Sequence, residues 1–231
     1  MKIGIMQPYF FPYLGYWQLI AAVDKYVVYD DVKYIKGGWI NRNNILLNGK
    51  AHLMTIQLDK SSPNRMINEI MVRNDLVEKN KIIRTLEHAY SKAPFYNLVV
   101  DMLKEILMLD TTISLMNYEA IIRICEYLDI GTEIIISSQI DKDESIHADQ
   151  RVIDIVKRLG GTEYINAIGG RELYNKQEFA AEGITLSFLQ KNQVEYKQFR
   201  EPFIDNLSII DVLMFNGIED TKKLLSECTL V

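Results

Sequence analysis

Hydrophobic and polar positions follow a pattern that predicts alternating strands and helices at both ends of the chain. A short apolar run at 2–6 predicts a first strand, residues 15–22 a helix, and residues 26–29 a second strand. The last third continues in the same way, with a predicted helix at 149–159, strands at 164–168 and 184–189, and a helix that begins after Ser208. Strands that alternate with helices are typical of a largely parallel sheet.

The middle of the chain departs from this alternation. Two runs of mixed polarity, 32–47 and 52–58, flank Asn48-Gly49, a pair that favours the tight turn of a β-hairpin. From 63 to 131 the apolar positions follow a helical period in part, and no segment rich in Gly, Ser or Pro flanks the stretch. We therefore predict an α/β fold over 1–231 as a single domain. It would contain a mostly parallel, Rossmann-like (nucleotidylyltransferase-like) sheet, a β-hairpin and a helical insertion or subdomain at 63–131.

The charge balance argues against a nucleic-acid partner. The 231 residues carry 26 Lys and Arg against 31 Asp and Glu, a formal net charge of −5. Proteins that bind the phosphate backbone of nucleic acids present a basic surface instead. A local pocket of positive charge can still bind a small anionic molecule on an acidic protein. We therefore expect a small anionic substrate as the partner.

Cysteine usage and the apolar N-terminus bear on where the protein works. Cys125 and Cys228 are far apart and fit neither a metal spacing nor a disulfide framework, which is typical of a reducing compartment. Residues 3–23 are apolar, but Pro8 and Pro12 interrupt any helix there, so we expect neither an export signal nor membrane insertion. The expectation is a cytoplasmic protein whose oligomeric state the sequence leaves open.

The turn between the first strand and the first helix is one candidate site. A helix that begins just after a strand presents free N–H groups and the positive end of its dipole to an anion, and Gln7, Tyr13 and Gly15 would surround that anion. Nucleotidylyltransferase folds normally have His-x-Gly-His at this turn. This chain has Tyr13-Leu14-Gly15-Tyr16, which argues against adenylyl transfer of that kind. A hydrophobic turn packed by aromatic rings is the alternative interpretation.

Asp30 and Asp31 are the candidate catalytic carboxylates. They follow the second strand, and ligands of open α/β sheets bind beyond the carboxyl ends of strands. Successive residues on an extended segment point to opposite faces, so the two are not expected to form a close dyad. One of them could position an amine or hydroxyl, or deprotonate it if burial raised the pKa of that Asp. A solvated turn pair is the alternative.

A polar and aromatic cluster on the first arm of the hairpin is a candidate binding surface. Arg42 lies between Asn41 and Asn43, which suits a phosphate or carboxylate held by two hydrogen bonds. Trp39 could stack on a base or a sugar ring. An ordinary hairpin with cross-strand pairs is the alternative.

Other candidates are spread along the chain. Gly169-Gly170-Arg171 follows a predicted strand and could form a second anion-binding turn, or an ordinary one. Lys36 and Arg151 would add positive charge, unless their side chains are simply solvated. His147, in a polar loop, is a candidate acid or base, with a surface residue as the alternative. The spacing of the histidines fits no transition-metal site, and the sequence identifies no cofactor.

The motifs form a combination that extends over nearly the whole chain. Its parts are Gln7-Pro8 with Pro12 and Gly15-Tyr16, Asp30-Asp31-Val32, Trp39-x-Asn41-Arg42-Asn43, Arg151-Val152-Ile153-Asp154, Tyr164-x-Asn166 with Gly169-Gly170-Arg171, and Leu207-Ser208-Ile209-Ile210-Asp211. This combination resembles the WbqC-like protein family. The resemblance implies a bacterial cytoplasmic protein encoded among genes for O-antigen and other surface polysaccharides. Many members have His before the Gln-Pro, where this chain has Met6, so one general-base candidate is absent here.

The resemblance further implies a substrate. It suggests modification of a nucleotide-linked amino sugar by acyl or aminoacyl transfer, and a nucleotide-sugar would be the anionic ligand. Two alternatives stay open. One is a non-catalytic module that binds a nucleotide-sugar or a partner enzyme, and the other is ATP-dependent adenylation of a small acid.

Overall fold

The structure, a computed structural model, describes residues 1–143, 145–146 and 148–231. Within these residues the strands are, in chain order, β1 (Lys2–Met6), β2 (Lys25–Val28), β3 (Arg42–Leu47), β4 (Lys50–Thr55), β5 (Glu133–Ile136), β6 (Glu163–Ala167), β7 (Thr185–Lys191) and β8 (Cys228–Leu230). The α-helices are α1 (Leu14–Ala21), α2 (Leu76–Tyr90), α3 (Tyr96–Met108), α4 (Ile113–Tyr127), α5 (Ala148–Arg158), α6 (Lys176–Ala181), α7 (Ile209–Phe215) and α8 (Ile218–Ser226).

The main sheet is mostly parallel, as predicted. Its strand order is β5-β2-β1-β6-β7-β8, and only the pairing of β8 with β7 is antiparallel. From the central β1 the chain moves outward through β2 to β5 and then returns to β6 on the other side of β1. The direction of winding therefore reverses between β1 and β6. In open α/β sheets with this Rossmann-like order, ligands bind beyond the carboxyl ends of the strands at such a reversal.

Helices cover both faces of the sheet. On one face Val152, Ile155 and Val156 of α5, which are three and four residues apart, are buried against Ile3 and Ile5 of β1. The other face carries a larger cluster that includes α1, the helices α2 to α4, and α7. The two faces differ because successive residues of β1 point alternately to one and to the other.

The predicted hairpin is present, but its first arm is shorter than expected. Strands β3 and β4 pair in register around Asn48 and Gly49, whose φ angles of 54° and 76° belong to the left-handed region that such a turn requires. Residues 32–41, expected to be extended, form turns instead. Gly37 has a φ of 82°, which ends any regular strand there, so the prediction for this segment was wrong.

The middle of the chain is helical from α2 onward rather than from residue 63. The segment before α2 is irregular, with isolated bridges between Leu58 and Val72 and between Met71 and Thr112, and one short 3-10 helix at Ile67–Glu69. Helix α2 begins at an N-cap, Asp75, whose side chain accepts hydrogen bonds from two backbone N–H groups of the first turn. Helices α2 to α4 bury their apolar sides in the same cluster as α1.

The C-terminal part of the chain closes over the loop that follows β1. Ser208 caps α7 and donates its hydroxyl to the carbonyl of Phe11 at 2.7 Å, while its N–H donates to Asn44 at 2.8 Å. The N–H of Ile209 donates to the carbonyl of Pro12 at 2.9 Å. Phe11 has a φ of 42°, an uncommon conformation for a non-glycine residue, and these bonds help to hold it.

A buried carboxylate joins α7 to two other parts of the fold. Asp211 has no exposed surface and accepts hydrogen bonds from the hydroxyls of Tyr90 (2.9 Å) and Tyr196 (2.6 Å) and from the amide of Gln198 (2.7 Å). Burial raises the pKa of Asp211, although the three donors act in the opposite direction. The carboxylate is therefore the centre of a polar network inside the core.

Candidate functional site

Four segments meet at the carboxyl edge of the parallel sheet. Gln7 follows β1, Asp30 and Asp31 follow β2, the 3-10 helix Ser137–Gln139 follows β5, and Gly169-Gly170-Arg171 follows β6. Because parallel strands end at the same edge, the topology brings these segments together. The winding direction of the sheet reverses between β1 and β6, among these four segments. This edge is where ligands of open α/β folds bind, and we take it as the candidate site.

Asp31 is the centre of a largely buried ion cluster. Its Oδ2 lies 2.7 Å from Nζ of Lys142 and also pairs with Nη2 of Arg151. The side chains of Asp31, Lys142 and Arg151 are 16%, 3% and 13% exposed. Lys142 also donates to the carbonyl of Ser137, and the Arg151 guanidinium lies 5.4 Å from the centre of the Tyr29 ring. The structure therefore joins two predicted site residues, Asp31 and Arg151, through direct contact.

Lys142 was not among the site residues predicted from the sequence. The residue lies among charged neighbours, Asp141 and Asp143, in a segment that has the composition of a solvated loop. Its burial follows from the contact with Asp31, which is distant in sequence. A pattern of local polarity carries no signal for such a pair.

The ion cluster determines the charge state of Asp31. Burial acts to raise the pKa of this carboxyl, but hydrogen bonding from Lys142, with the charges of Lys142 and Arg151, outweighs burial and holds the pKa below its ordinary value. Asp31 is therefore ionised at neutral pH. To act as a general base, Asp31 would need a pKa raised by burial, but its pKa is lowered instead.

Asp30 has a separate set of partners. Its side chain accepts the N–H of Ser138 at 2.9 Å and the hydroxyl of Ser138 at 2.7 Å, and the residue is 2% exposed. The two aspartates thus do not form a dyad, as their alternation along the chain predicted. Both oxygens of Asp30 are occupied in tying the end of β2 to the end of β5, which argues for a structural role.

Several polar atoms at this edge have no hydrogen-bond partner among the described residues. They are buried atoms: Gln7 Oε1, Asp31 Oδ1, Ser137 Oγ and Arg151 Nε. Gln7 directly follows β1, and Arg151 belongs to α5, which packs on the sheet through its apolar residues. A buried polar atom without a partner costs free energy, and a ligand with hydroxyl or amine groups would remove that cost. The unpartnered atoms therefore show that hydrogen-bonding groups remain unused beside the Asp31 cluster.

The turn after β6 contributes two glycines with different surroundings. A Cβ added at Gly170 would lie 2.6 Å from Nδ2 of Asn166, whereas one added at Gly169 would meet nothing within 4 Å. Arg171 is exposed in the same turn, a 3-10 helix at Ile168–Leu173. A side chain at Gly170 would therefore displace the Asn166 amide, whereas Gly169 leaves the backbone open on one side.

These two glycines provide a matched test. We expect Gly170→Ala to lower the free energy of unfolding by about 1 kcal/mol because Asn166 must move away. Gly169→Ala, its control, should change stability by less than about 0.5 kcal/mol because the added methyl group meets no atom. Chemical denaturation of both variants measures the difference. Equal effects would contradict the packing argument.

The turn after β1 is closed rather than open to an anion. Residues Leu14 to Ile20 of α1 are buried, and the ring of Tyr13 lies 2.6 Å from where a Cβ of Gly15 would be. The glycine is explained by the packing of Tyr13, which corrects the expectation that it admits a ligand. Burial also raises the pKa of the Tyr13 hydroxyl. The aromatic turn that was the alternative interpretation describes this segment.

The residues of the predicted hairpin surface have partners of their own. Arg42 donates to the carbonyls of Gly37 and Gly38. Asn41 accepts from Tyr34 and donates to Ile56, both at 2.9 Å. These groups shape the turns at 32–41.

Asn43 and the remaining members of that surface differ in exposure. Asn43 donates to the carbonyls of Phe10 (3.1 Å) and Phe11 (2.8 Å), so it anchors the loop after β1. Trp39, 6.0 Å from the Arg42 guanidinium, is 44% exposed, and Lys36 is exposed as well. Of the predicted surface, Trp39 and Lys36 remain accessible to a ligand.

The comparisons with known proteins identify the family. The model of the WbqC-like protein family matches residues 7–223. The chain belongs to this family. The match begins at Gln7 and includes every residue of the candidate edge. The uncharacterized protein Rv1507c of Mycobacterium tuberculosis is a relative, 28% identical over 222 residues that cover 94% of this chain and 95% of that protein. No solved structure matches at a significant level.

Three further points bear on this WbqC-like chain. His147, the candidate acid or base, lies outside the residues that the structure describes. In the described ranges, no three His, Cys, Asp or Glu side chains are grouped so that they could hold a metal ion. None of the helices in those ranges is long and apolar enough to span a membrane.

Proposed function

We propose that this WbqC-like protein is a transferase that modifies the amine of a nucleotide-linked sugar, by acyl or aminoacyl transfer, in the biosynthesis of O-antigen or another surface polysaccharide. The observation that carries the proposal is the group of unpartnered polar atoms beside the ionised Asp31, at the edge where the sheet reverses its winding. The pathway is what the family resemblance implies. Amines and hydroxyls are the groups that such acceptor atoms bind.

In this proposal the ligand spans the carboxyl edge of the sheet. The sugar lies against Gln7 and Asp31, whose free oxygens accept hydrogen bonds from its amine and hydroxyls. Arg151 Nε donates to a sugar or acyl oxygen. The diphosphate lies along the turn after β6, near the open backbone of Gly169 and the exposed guanidinium of Arg171. Trp39 and Lys36 are accessible for the nucleotide.

The chemistry requires an acyl donor, for which a thioester is a suitable class. The amine nitrogen attacks the carbonyl carbon of the donor, a C–N bond replaces the C–S bond, and the thiol leaves with the proton that the amine loses. Asp31, with its lowered pKa, would orient the amine rather than remove its proton. The role proposed for Asp31 is therefore positioning through a charge-assisted hydrogen bond.

A non-catalytic binding module is the second candidate. The observation that favours it is the same lowered pKa, since an Asp held by two cations is not tuned for proton transfer. Both candidates require a nucleotide-sugar at this edge, and they differ only in turnover.

The deciding experiment is a mass-spectrometric screen of the purified protein. UDP- and dTDP-linked amino sugars would be incubated with acyl and aminoacyl thioesters, and the sugar would be examined for added mass. A mass-shifted nucleotide-sugar supports the transferase. If calorimetry shows that a nucleotide-sugar binds but no acyl donor yields a product, the result would support the non-catalytic binding module. Binding of ATP with adenylation of a small acid, or no binding of any nucleotide-sugar, would overturn the proposal.

Arg171 allows a test of the ligand position. We expect Arg171→Ala to weaken nucleotide-sugar binding about tenfold or more, because one charged hydrogen bond to the diphosphate is lost. The melting temperature should not change, since Arg171 is exposed. Arg84→Ala, an exposed arginine on α2, is the matched control and should bind normally. Equal affinities of the two variants in calorimetry would place the diphosphate elsewhere.

A further inference from the structure

The segment that follows Asp31 differs in charge from the rest of the chain. Residues 32–58 contain no Asp or Glu, although the whole chain has more acidic than basic residues. The same segment has four basic residues, Lys33, Lys36, Arg42 and Lys50. It therefore forms a positive region on an otherwise acidic protein, and such a region attracts acidic partners.

The turn at 33–39 presents charged and apolar side chains of this segment to solvent. Lys33 and Lys36 are exposed, and neither has an ion pair among the described residues. Ile35 and Trp39 are 52% and 44% exposed. We call these four residues the basic turn. Exposed apolar side chains between unpaired cations indicate a surface that another macromolecule covers.

The acidic residues beside the basic turn do not neutralise it. Asp31 is held by the two cations of the ion cluster. On the neighbouring segment, Oε2 of Glu69 lies 3.9 Å from Nε of Arg65. The charges of Lys33 and Lys36 are therefore available to an acidic partner.

Hydrogen bonds hold the basic turn in one conformation. The N–H of Gly38 donates to the carbonyl of Ile35 at 3.1 Å. Arg42 donates to the carbonyls of Gly37 and Gly38, which fixes the turn from the side of β3. A surface that is ordered before binding loses less conformational entropy when a partner docks on it.

The basic turn adjoins the candidate site at the carboxyl edge. Lys33 is two residues from Asp31, so their Cα atoms are at most about 7 Å apart. At the other end of the turn, the carbonyl of Trp39 accepts the N–H of Phe10 at 2.9 Å, and Phe10 is three residues after Gln7. A partner that covers the turn is therefore close enough to deliver a reactive group to the carboxyl edge.

We propose that the basic turn docks a small acidic carrier protein whose flexible arm presents the acyl group as a thioester. The proposal rests on the transferase function proposed above, which requires such a donor. Carboxylates of the carrier pair with Lys33, and its apolar side chains cover Ile35. Lys36 and Trp39, which are also accessible for the nucleotide, border the contact.

Docking places the thioester beside the amine of the sugar. The amine nitrogen attacks the thioester carbonyl carbon, the C–N bond forms as the C–S bond breaks, and the thiol of the arm leaves with the proton that the amine loses. A free thioester of the same acyl group has the same reactive bond but no protein surface to dock. We therefore expect the carrier-bound donor to react about tenfold or more faster at equal concentration.

Calorimetry with the acylated acyl carrier protein of bacterial fatty-acid synthesis measures docking independently of turnover. We expect saturable binding that weakens as salt is added, because ion pairs contribute to it. Lys33→Glu and Ile35→Ala should each weaken this binding, the former about tenfold or more. Lys81→Glu on α2 and Leu98→Ala on α3 are the matched exposed controls and should bind the carrier like the wild-type protein. All four variants should keep their affinity for nucleotide-sugars.

The outcomes separate the docking surface from the transferase function. Carrier binding that Lys33→Glu and Ile35→Ala weaken, and that the controls keep, would support the proposal. Such binding without any acylated sugar would support the docking surface and count against the transferase. Absence of carrier binding, equal binding by Lys33→Glu and the wild-type protein, or adsorption to anionic phospholipid vesicles in place of the carrier would overturn the proposal. Acyl transfer from a free thioester without carrier binding would overturn it too, while leaving the transferase in place.

Discussion

Replacing Asp211 by alanine should lower the free energy of unfolding by about 4 kcal/mol, the largest effect that we expect from a single substitution. The change leaves Tyr90, Tyr196 and Gln198 with donors that point into the core and have lost their common acceptor. An unsatisfied buried donor costs about 1 to 3 kcal/mol, and the lost carboxylate leaves a cavity as well. Equilibrium denaturation in urea measures the change.

Tyr196→Phe is the matched control for Asp211. It removes one donor but leaves the acceptor and two of its partners in place. We expect a loss of about 1 kcal/mol, the ordinary value of one hydrogen bond. A result in which Asp211→Ala costs no more than Tyr196→Phe would show that the carboxylate is not the centre of the network.

The second large effect should come from Asp31→Asn. Lys142 and Arg151 would then be largely buried cations without their counter-charge, which typically costs about 3 kcal/mol when one partner of a buried pair is removed. The loss should depend on pH in a definite direction. Because the folded-state pKa of Asp31 is lowered, its stabilising contribution is present above the ordinary pKa of 3.8 and is lost as the pH falls through the folded-state pKa.

Denaturation at several pH values tests this expectation. The difference between the wild-type protein and Asp31→Asn should be constant near neutral pH and should shrink as the pH falls below about 4. Asp59→Asn is the control, because its pair with Arg73 is half exposed on both sides and contributes about 1 kcal/mol or less. A difference that grows toward acid would mean that Asp31 is not held ionised by its neighbours.

Much of the fold could be predicted because its signals are local. The spacing of Val152, Ile155 and Val156 identifies α5, and Asn48-Gly49 identifies the hairpin turn, since each depends on residues close together in the chain. The order of strands and helices follows from the same kind of pattern. The three-residue strand β8 was not predicted, because it is defined by its pairing with β7 rather than by its own sequence.

The candidate site was harder to predict because its contacts are distant in sequence. Asp31 and Arg151 could be predicted as site residues, but the buried Lys142, which contacts Asp31, has no local signal in the sequence. Asn41, Arg42 and Asn43 have the composition of an anion site, yet all three side chains donate to backbone carbonyls within the protein. Residue type shows what a side chain can bind. Only the fold shows whether that side chain is already hydrogen-bonded within the protein.

The closure of the C-terminal part over the loop after β1 has a consequence for synthesis on the ribosome. The carbonyls of Phe11 and Pro12 obtain their partners Ser208 and Ile209 only when almost the whole chain has been made. Strand β1 likewise gains β2 early and β6 much later. The loop after β1 therefore remains without these partners, and its aromatic residues stay exposed, until the rest of the chain has been synthesised. We expect a nascent chain that stops before α7 to need chaperone protection, although it already contains the residues of the carboxyl edge.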